Sequence, residues 1–136
     1  MKENFFKYNK NSYKISKSLK QSIKYALSGL SYCFKFTRNF RIQLLISVFV
    51  ILAAFIFALD GKELMLLIST ILSVLILELL NTSIESVVDL IVDKKFSKLA
   101  KISKDCSAAA VLMTSFNAIF VAVYIFLPKI KILLIK

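Results

Sequence analysis

Apolar residues in this chain are gathered into three long blocks separated by short polar segments. The first block runs over residues 42–59 and is interrupted only by Gln43 and Ser47. The second runs over residues 64–92 and the third over residues 106–127. Because about twenty apolar residues are needed to cross a bilayer as a helix, the pattern predicts three transmembrane helices.

The second block is too long to lie wholly within the hydrocarbon. With about 1.5 Å of rise per residue, a helix over residues 64–92 is roughly 43 Å long, whereas the hydrocarbon core is about 30 Å thick. We therefore expect its second half to protrude from the membrane. In the polar turn that precedes it, Gly61 is expected to permit the backbone reversal. Pro128 is expected to end the third helix, because it lacks a backbone N–H.

The region before the first span is basic and only moderately apolar. Over residues 14–36, apolar side chains recur at helical spacing between lysines, which predicts an amphipathic helix on the membrane surface. Packing of this helix on a partner chain is the alternative. Residues 1–13, rich in Lys and Asn, are expected to form a disordered basic tail. A signal peptide is disfavoured, because a long basic region precedes the first span and no small-x-small cleavage pattern follows it.

Composition and charge support a membrane protein. Of the 136 residues 58% are hydrophobic, and the mean hydropathy is +0.75, which excludes an ordinary water-soluble domain. The chain has 19 Lys and Arg against 8 Asp and Glu, a net charge of +11. These cations are concentrated before the first span and between the second and third. The positive-inside rule therefore predicts that the N-terminus and that loop are cytoplasmic.

The residue types available limit the chemistry. The chain has no His, which excludes His-based triads, His general bases and zinc sites that need imidazole. Cys33 and Cys106 lie far apart without Cys-x-x-Cys spacing and are expected to be reduced thiols. A P-loop motif is also absent from the sequence. Proton transfer is thus left to carboxylates or Lys, and phosphate binding to side chains.

An acidic stripe runs along the second predicted helix. At about 100° per residue, five of its polar side chains share one face. They are Glu78, Asn81, Thr82, Glu85 and Asp89. Carboxylates that face lipid are costly, so the stripe must meet water, a metal ion, cations or another chain. A solvated helix end is the alternative, disfavoured because Leu, Ile and Val fill the other faces. One carboxylate could hold Mg²⁺ while another acts as a general base.

A second polar segment lies at the start of the third span. Lys101, Lys104 and Asp105 precede the small residues 107–110, which would allow close helix approach. Lysines beside carboxylates indicate a phosphate site, since Mg²⁺ and Lys together offset the charge of a polyphosphate. Anchoring of the lysines at the membrane edge is the alternative.

Taken together and in order, these blocks resemble the prokaryotic diacylglycerol kinase and undecaprenol kinase family of small integral-membrane lipid kinases. The resemblance covers about residues 20–127. The segments that carry it are Tyr25-Ala-Leu-Ser-Gly-Leu30, Arg38-Asn-Phe-Arg41, Glu78-Leu-Leu-Asn-Thr-Ser-Ile-Glu-Ser-Val-Val-Asp89 and Leu99-Ala-Lys-Ile-Ser-Lys-Asp105. It implies an all-α homotrimer in the bacterial inner membrane, with active sites between protomers at the cytoplasmic face, which uses MgATP to phosphorylate a lipid hydroxyl.

The resemblance also implies roles for individual residues. Glu78 falls at the position of the general base, which takes the proton from the lipid alcohol. Glu85 falls at a metal-binding carboxylate, and Asn81 at an amide that orders the site. Lys104 and Asp105 match the pair that contacts the nucleotide and its phosphates. The residues assigned to cofactor binding are Tyr25, Asn81, Glu85, Lys104 and Asp105.

The chain departs from the family pattern at several positions. Thr37 stands where the family usually has a Glu that shares the metal, and a hydroxyl is a poorer Mg²⁺ ligand than a carboxylate. Ser97 stands where His is frequent, in a loop that is one residue longer here. Ser107 or Ala109 stands where Gly is usual. We expect these changes to alter nucleotide binding, with Asp89 or a neighbouring protomer as candidates to compensate.

The function that the sequence favours is transfer of the γ-phosphate of MgATP to a lipid alcohol. The segments that begin at Arg38 and Leu99 look more like the undecaprenol kinase branch, so undecaprenol is preferred over diacylglycerol as acceptor. The alternative is a degenerate family member that acts as a membrane scaffold or regulator, because Thr37 replaces a metal ligand. A small cation-conducting oligomer would explain the acidic stripe but not the pair of Lys104 and Asp105.

Overall fold

The structure is a computed structural model that describes residues 18–93 and 95–135. Within this part helices are joined by short non-helical links, and there are no strands. The helices are α1 (Leu19–Phe36), α2 (Arg38–Ile56), α3 (Gly61–Val92) and α4 (Lys98–Ile135). Helices α2, α3 and α4 are long and apolar enough to cross a membrane. The predicted all-α fold with three candidate transmembrane helices is therefore confirmed.

Helix α1 belongs to a compact unit of its own, which ends at Phe36. The prediction of a helix is confirmed from Leu19 onward, and the apolar residues of its predicted face are exposed within this unit. Residues 14–17 of the predicted surface helix lie outside the described residues, as does the predicted tail over residues 1–13. Placement of α1 on a membrane surface stays a prediction.

Helices α2, α3 and α4 form the second unit, and α3 is central because it packs against both of the others. The links between consecutive helices are short, so neighbouring helices run antiparallel. A small core lies where α2 ends and α3 begins, and Ala54, Leu67 and Ile125 are almost completely buried in it. Beside it the rings of Phe57 and Phe126 meet edge to face, with 5.7 Å between their centroids. This core holds together the end of the bundle opposite to the acidic stripe.

Most of the apolar surface of these three helices is not covered by the chain itself. In the most apolar stretch of α2, α3 and α4, only 11%, 17% and 6% of the residues are buried. A contiguous apolar surface of this extent is unfavourable in water, whereas lipid or another chain covers it in a bilayer. The fold is thus that of a multi-pass membrane protein.

The turn between α2 and α3 differs from the sequence expectation. Ala58 takes up the left-handed conformation with φ 46°, and Gly61 has no positive φ and is the first residue of α3. The prediction that Gly61 makes the reversal is therefore wrong. The chain reverses earlier, where the N–H of Leu59 donates to the carbonyl oxygen of Ala54. This bond closes the end of α2 around the left-handed residue Ala58. Helix α2 ends at Ile56, three residues before the predicted end at residue 59.

Asp60 begins α3 with a capping box. Its carboxylate accepts the backbone N–H groups of Lys62 at 2.8 Å and Glu63 at 2.9 Å, and the Glu63 carboxylate accepts the N–H of Asp60 at 2.9 Å. The hydrogen bond from the Glu63 N–H favours the charged form and holds the pKa of the Asp60 carboxyl below its usual range. Lys129 of α4 pairs with Glu63 at 2.9 Å. The start of α3 is thereby tied to the far end of α4.

Helix α4 begins earlier than the predicted span over residues 106–127. It starts at Lys98, inside the segment that was expected to be a polar loop. Ser97 is the reason, since its Oγ accepts the N–H of Ala100 at 3.4 Å and its carbonyl oxygen accepts that of Lys101 at 3.0 Å. A serine at this position satisfies N–H groups that the first helical turn leaves without a partner.

Helix α4 also ends later than predicted. It continues through Pro128 to Ile135, so the prediction that Pro128 ends it is wrong. A proline inside a helix removes one hydrogen bond, here to the carbonyl of Tyr124, and transmembrane helices tolerate such a loss. The ion pair between Lys129 and Glu63 lies directly after the proline, and it keeps this part of α4 against α3.

Candidate active site

The acidic stripe on α3 passes from a buried position to an exposed one. Glu78, Asn81 and Thr82 are 3%, 7% and 9% exposed. Glu85 is half-buried, and Asp89 is exposed. A fully solvated helix face does not describe the stripe, because its first three members are covered by other parts of the chain.

Glu78 lies close to one boundary of the membrane. The charged residues Asp60 and Lys62 stand at the start of α3, and they mark one side of the hydrocarbon. Glu78 follows Gly61 by roughly 26 Å along the helix axis, which approaches the thickness of about 30 Å of the hydrocarbon core. The stripe therefore begins at the opposite boundary and extends beyond it.

Gln43 of α2 lies against Glu78. Its Nε2 is 3.5 Å from Glu78 Oε2, and its Oε1 is buried without a hydrogen-bond partner among the described residues. Within α3, Thr82 Oγ1 donates to the backbone carbonyl oxygen of Glu78 at 3.0 Å. Gln43 is not among the residues that the sequence pattern assigns to the site. The signal that could have identified it is a polar amide inside an apolar span, where such groups are costly.

Hydrogen bonds connect α4 to the middle of the stripe. Ser107 Oγ lies 2.6 Å from Asn81 Oδ1, and Asn81 Nδ2 lies 3.1 Å from Glu85 Oε1. Glu78 and Glu85 lie seven residues apart on one face of α3. Ser107 is assigned no role by the sequence pattern, which marks only its departure from the usual Gly. Asn81 and Glu85 thus lie at the contact between α3 and α4, whereas Glu78 lies against α2.

Each of the lysines predicted to bind phosphate is paired with a carboxylate. Lys104 Nζ lies 2.9 Å from Asp89 Oδ1, and Lys101 Nζ lies 2.7 Å from Asp105 Oδ2. The first pair joins α4 to α3. The second pair runs along α4 and is mostly exposed. Lys104 therefore meets the acidic stripe, whereas Asp105 turns to a lysine of its own helix.

An open depression of about 450 Å³ lies at the hairpin between α3 and α4. Side chains of both charges line it, namely Asp89, Lys95, Lys101, Lys104 and Asp105. A volume of this size is within the range of small-molecule sites. The lysines make it suited to a ligand with several negative charges, such as a polyphosphate.

An apolar cavity of about 240 Å³ lies between α2 and α4, over α3. Gln43 is among its lining residues, and it also contacts Glu78. The polar atoms of the lining come from Gln43, Ser47, Thr70 and Ser115, and the rest of the lining is apolar. Gln43 thus connects the buried carboxylate of Glu78 to a space that is suited to a hydrocarbon chain.

The oxygen ligands at this site fit a magnesium ion that also binds phosphate. Among residues 18–93 and 95–135, no group of three or more His, Cys, Asp or Glu could hold a metal ion. Glu85 nevertheless offers a carboxylate, and the amide of Asn81 lies beside it, with its nitrogen donating to Glu85 in the structure. Mg²⁺ is usually bound by one or two carboxylates together with substrate phosphates and water. The residues present therefore fit MgATP better than a metal ion held by protein alone.

Tyr25 and Thr37, the two other positions that the family pattern singles out, precede these residues in the sequence by 40 positions or more. Tyr25 is half-buried in α1, which belongs to the first unit, so its assignment to the nucleotide site stays a prediction. Thr37 is the N-cap residue of α2 and is half-buried. The second unit brings together Glu78, Asn81, Glu85 and Lys104.

Comparison with known proteins identifies the family. The family model for prokaryotic diacylglycerol kinase matches residues 24–126. The chain belongs to this family. It is 43% identical to a diacylglycerol kinase of Synechocystis over 126 residues, which cover 93% of this chain and 72% of the relative. It is 39% identical to an undecaprenol kinase of Bacillus subtilis over 93 residues, which cover 68% and 75% of the two chains.

A further relative from the prokaryotic diacylglycerol kinase family is a diacylglycerol kinase of Haemophilus influenzae. The identity is 36% over 92 residues, which cover 68% of this chain and 77% of the relative. The resemblance inferred from sequence motifs is thus confirmed, and the chain is a lipid kinase of the membrane. The relatives are named after two different acceptor lipids, diacylglycerol and undecaprenol. The comparisons give no support to a degenerate member of the family.

Proposed function

We propose that this protein transfers the γ-phosphate of MgATP to the hydroxyl group of a lipid alcohol, undecaprenol or diacylglycerol. One observation carries the proposal. Buried Glu78 and half-buried Glu85 share a face of α3 at the membrane boundary, where Lys104 of α4 reaches the same helix. A lipid hydroxyl and a water-soluble nucleotide can meet only at such a boundary.

Glu78 is proposed as the general base. Its carboxylate lies at the depth where a lipid carries its hydroxyl group, and the amide of Gln43 limits its orientation. The apolar cavity that Gln43 also lines offers space for the hydrocarbon chain of the acceptor. A carboxylate within hydrogen-bond reach of the hydroxyl can accept its proton as the oxygen attacks the γ-phosphorus.

The nucleotide is proposed to bind between the stripe and the start of α4. Glu85 would hold Mg²⁺, which when bound offsets the negative charge of the phosphates, and Asn81 would order the site. Lys104 and Asp105 would contact the nucleotide, with the polyphosphate replacing Asp89 as the partner of Lys104. Phosphoryl transfer depends mainly on positioning and charge stabilisation, so these few side chains suffice for the reaction.

The proposed assembly is a homotrimer with its sites between protomers at the cytoplasmic face. The large uncovered apolar surface of α2, α3 and α4 supports contacts with other copies as well as with lipid. The excess of Lys and Arg on one side of the spans supports a cytoplasmic N-terminus. Residues 14–136 are proposed to form one lipid-kinase domain.

The test is a direct assay of both lipids. The purified chain in vesicles is supplied with radiolabelled ATP and Mg²⁺, and with either undecaprenol or diacylglycerol. We expect phosphorylated lipid that depends on ATP and Mg²⁺, with faster turnover of undecaprenol. Absence of product with both lipids at high Mg²⁺ would contradict the function, whereas faster turnover of diacylglycerol would contradict only the preferred acceptor.

A further inference from the structure

Ser107 of α4 faces two hydrogen-bond acceptors and can donate to only one of them at a time. Its Oγ lies 2.6 Å from Asn81 Oδ1 and 2.9 Å from the backbone carbonyl oxygen of Lys104. A serine hydroxyl carries one hydrogen and can also accept hydrogen bonds. It can therefore donate to the Asn81 oxygen. Alternatively, it can donate to the Lys104 carbonyl and accept a hydrogen bond from the Asn81 amide nitrogen.

These two arrangements present different atoms of Asn81 to Glu85. In the structure Ser107 donates to Oδ1, and Nδ2 donates to Glu85 Oε1 over 3.1 Å. A half-turn of the amide group exchanges its oxygen and nitrogen at nearly unchanged positions. The Asn81 oxygen then lies beside the Glu85 carboxylate, while Nδ2 donates to Ser107. Two such oxygens repel each other unless a cation lies against both.

A divalent cation favours the second arrangement. Hard cations bind carboxylate and carbonyl oxygens, and an amide that donates to Glu85 occupies an oxygen that the cation needs. Asn81 is 7% exposed, so water does not readily replace Ser107 as its partner. Without the hydroxyl, one end of this buried amide would have no partner in either arrangement, which is costly.

We propose that Ser107 is a positioning residue that acts through Asn81. Its hydroxyl oxygen accepts a hydrogen bond from the Asn81 amide N–H, which allows the Asn81 oxygen to join Glu85 in binding a divalent cation. The inference rests on the proposed function in one respect, the assignment of the metal to Glu85. Residues that orient a metal ligand commonly change metal affinity by a factor of about 10 to 100 when they are replaced.

The test measures metal binding without turnover. Mn²⁺ is titrated into the purified chain in nanodiscs, with a fixed concentration of a non-hydrolysable ATP analogue, and bound Mn²⁺ is measured by electron paramagnetic resonance. We expect Ser107→Ala to weaken binding by about tenfold and Ser107→Thr, which keeps the hydroxyl, to restore it. Ser103→Ala is the matched control, because Ser103 is an exposed serine on the same helix, and it is expected to leave binding unchanged.

A second variant separates positioning from a merely structural role. Asn81→Asp supplies an oxygen to the cation in either orientation. It is therefore expected to keep Mn²⁺ binding and to abolish the effect of adding Ser107→Ala. Gel filtration and circular dichroism establish that each variant folds. If Ser107→Ala does not fold, Mn²⁺ binding by Asn81→Asp still tests the proposal. Loss of Mn²⁺ binding in Asn81→Asp, or normal binding in folded Ser107→Ala, would overturn the proposal.

Glu85→Gln distinguishes failure of this inference from failure of the proposed function. If Glu85→Gln binds Mn²⁺ like the parent, the metal assignment is wrong and both proposals fall. If Glu85→Gln loses binding while Ser107→Ala retains it, only the role of Ser107 is overturned. Loss of binding in both variants, with recovery in Ser107→Thr, supports both.

Discussion

Lys104 of α4 and Asp89 of α3 form an ion pair of 2.9 Å between residues that lie fifteen positions apart in the chain. Their side chains are 36% and 51% exposed. Exposed ion pairs are weak and exchange readily. Lys104 is therefore held beside the acidic stripe, and in the proposed function it exchanges Asp89 for a phosphate of the nucleotide.

Removal of the Asp89 charge is expected to favour nucleotide binding. In Asp89→Asn the phosphates no longer compete with a carboxylate for Lys104, so we expect the KM for MgATP to fall by about two- to fivefold with kcat little changed. Steady-state kinetics at saturating lipid measure both constants. Asp93→Asn, which removes an exposed carboxylate at the end of α3, is the matched control and is expected to leave the KM unchanged. A higher KM in Asp89→Asn would instead indicate that Asp89 holds Lys104 in place or binds the metal.

Glu78→Gln is expected to abolish turnover while the protein still folds and assembles. The amide is nearly isosteric with the carboxylate but cannot accept the proton, and loss of a general base commonly lowers kcat by about 10² to 10⁴-fold. Formation of phosphorylated lipid measures activity, and gel filtration measures assembly. Glu63→Gln, the same substitution near the start of α3, is expected to retain activity. Turnover near the parent rate in Glu78→Gln would refute the base assignment.

The spans and the acidic stripe could be predicted because each depends on local pattern. Apolar length sets a span, and helical periodicity places Glu78 and Glu85 on one face. The contacts of Gln43 with Glu78 and of Ser107 with Asn81 could not be predicted, because they join residues 35 and 26 positions apart. Such contacts depend on how far one helix is shifted along another, which the periodicity of a single helix does not determine.

The ends of the helices were predicted less well for a related reason. Glycine is the residue that most easily takes up a left-handed conformation, so Gly61 was the natural candidate for the turn, yet Ala58 takes that role. Proline is the usual helix terminator, yet α4 continues past Pro128. There the ion pair between Lys129 and Glu63 joins α4 to α3. At the end of α4 a contact between helices thus accompanies the departure from the local preference, whereas nothing in the structure explains why Ala58 rather than Gly61 makes the turn.

The capping box at Asp60 gives the fold a defined acid sensitivity. The hydrogen bond from the Glu63 N–H lowers the pKa of the Asp60 carboxyl from its ordinary value of 3.8. A carboxyl whose pKa is lower in the folded state stabilises the fold above the unfolded pKa, and this contribution is lost as the pH falls through the folded pKa. We expect Asp60→Ala to lower the melting temperature at pH 7, and the difference from the parent to shrink at acidic pH. Thermal unfolding in detergent, at pH 7 and at acidic pH, measures this difference in melting temperature.

Asp60→Asn separates the charge from the cap. Asparagine is also a favourable N-cap residue, so this variant is expected to be more stable than Asp60→Ala at pH 7. Its difference from the parent should disappear at low pH, because the parent carboxyl is then also neutral. A stability difference between parent and Asp60→Asn that does not change with pH would contradict the role assigned to the charge.

Thr37 at the start of α2 lies at the level of Glu85. Gln43 contacts Glu78, and α2 and α3 run antiparallel. Thr37 precedes Gln43 by roughly 9 Å along α2, and Glu85 follows Glu78 by about 10 Å along α3. A carboxylate at position 37 would therefore lie near the metal site that we propose at Glu85. Negative charge is also favourable at the N-terminus of a helix, so a glutamate is compatible with the start of α2.

Thr37→Glu is accordingly expected to strengthen metal binding. A second carboxylate increases the affinity of an oxygen site for a divalent cation, so we expect the Mg²⁺ concentration for half-maximal activity to fall on the order of tenfold. Thr37→Gln, of the same size without the charge, is the control and should leave the Mg²⁺ requirement close to that of the parent. An unchanged requirement in Thr37→Glu would show that position 37 does not reach the metal. Activity that appears only in Thr37→Glu would instead show that the natural chain lacks a metal ligand that catalysis needs.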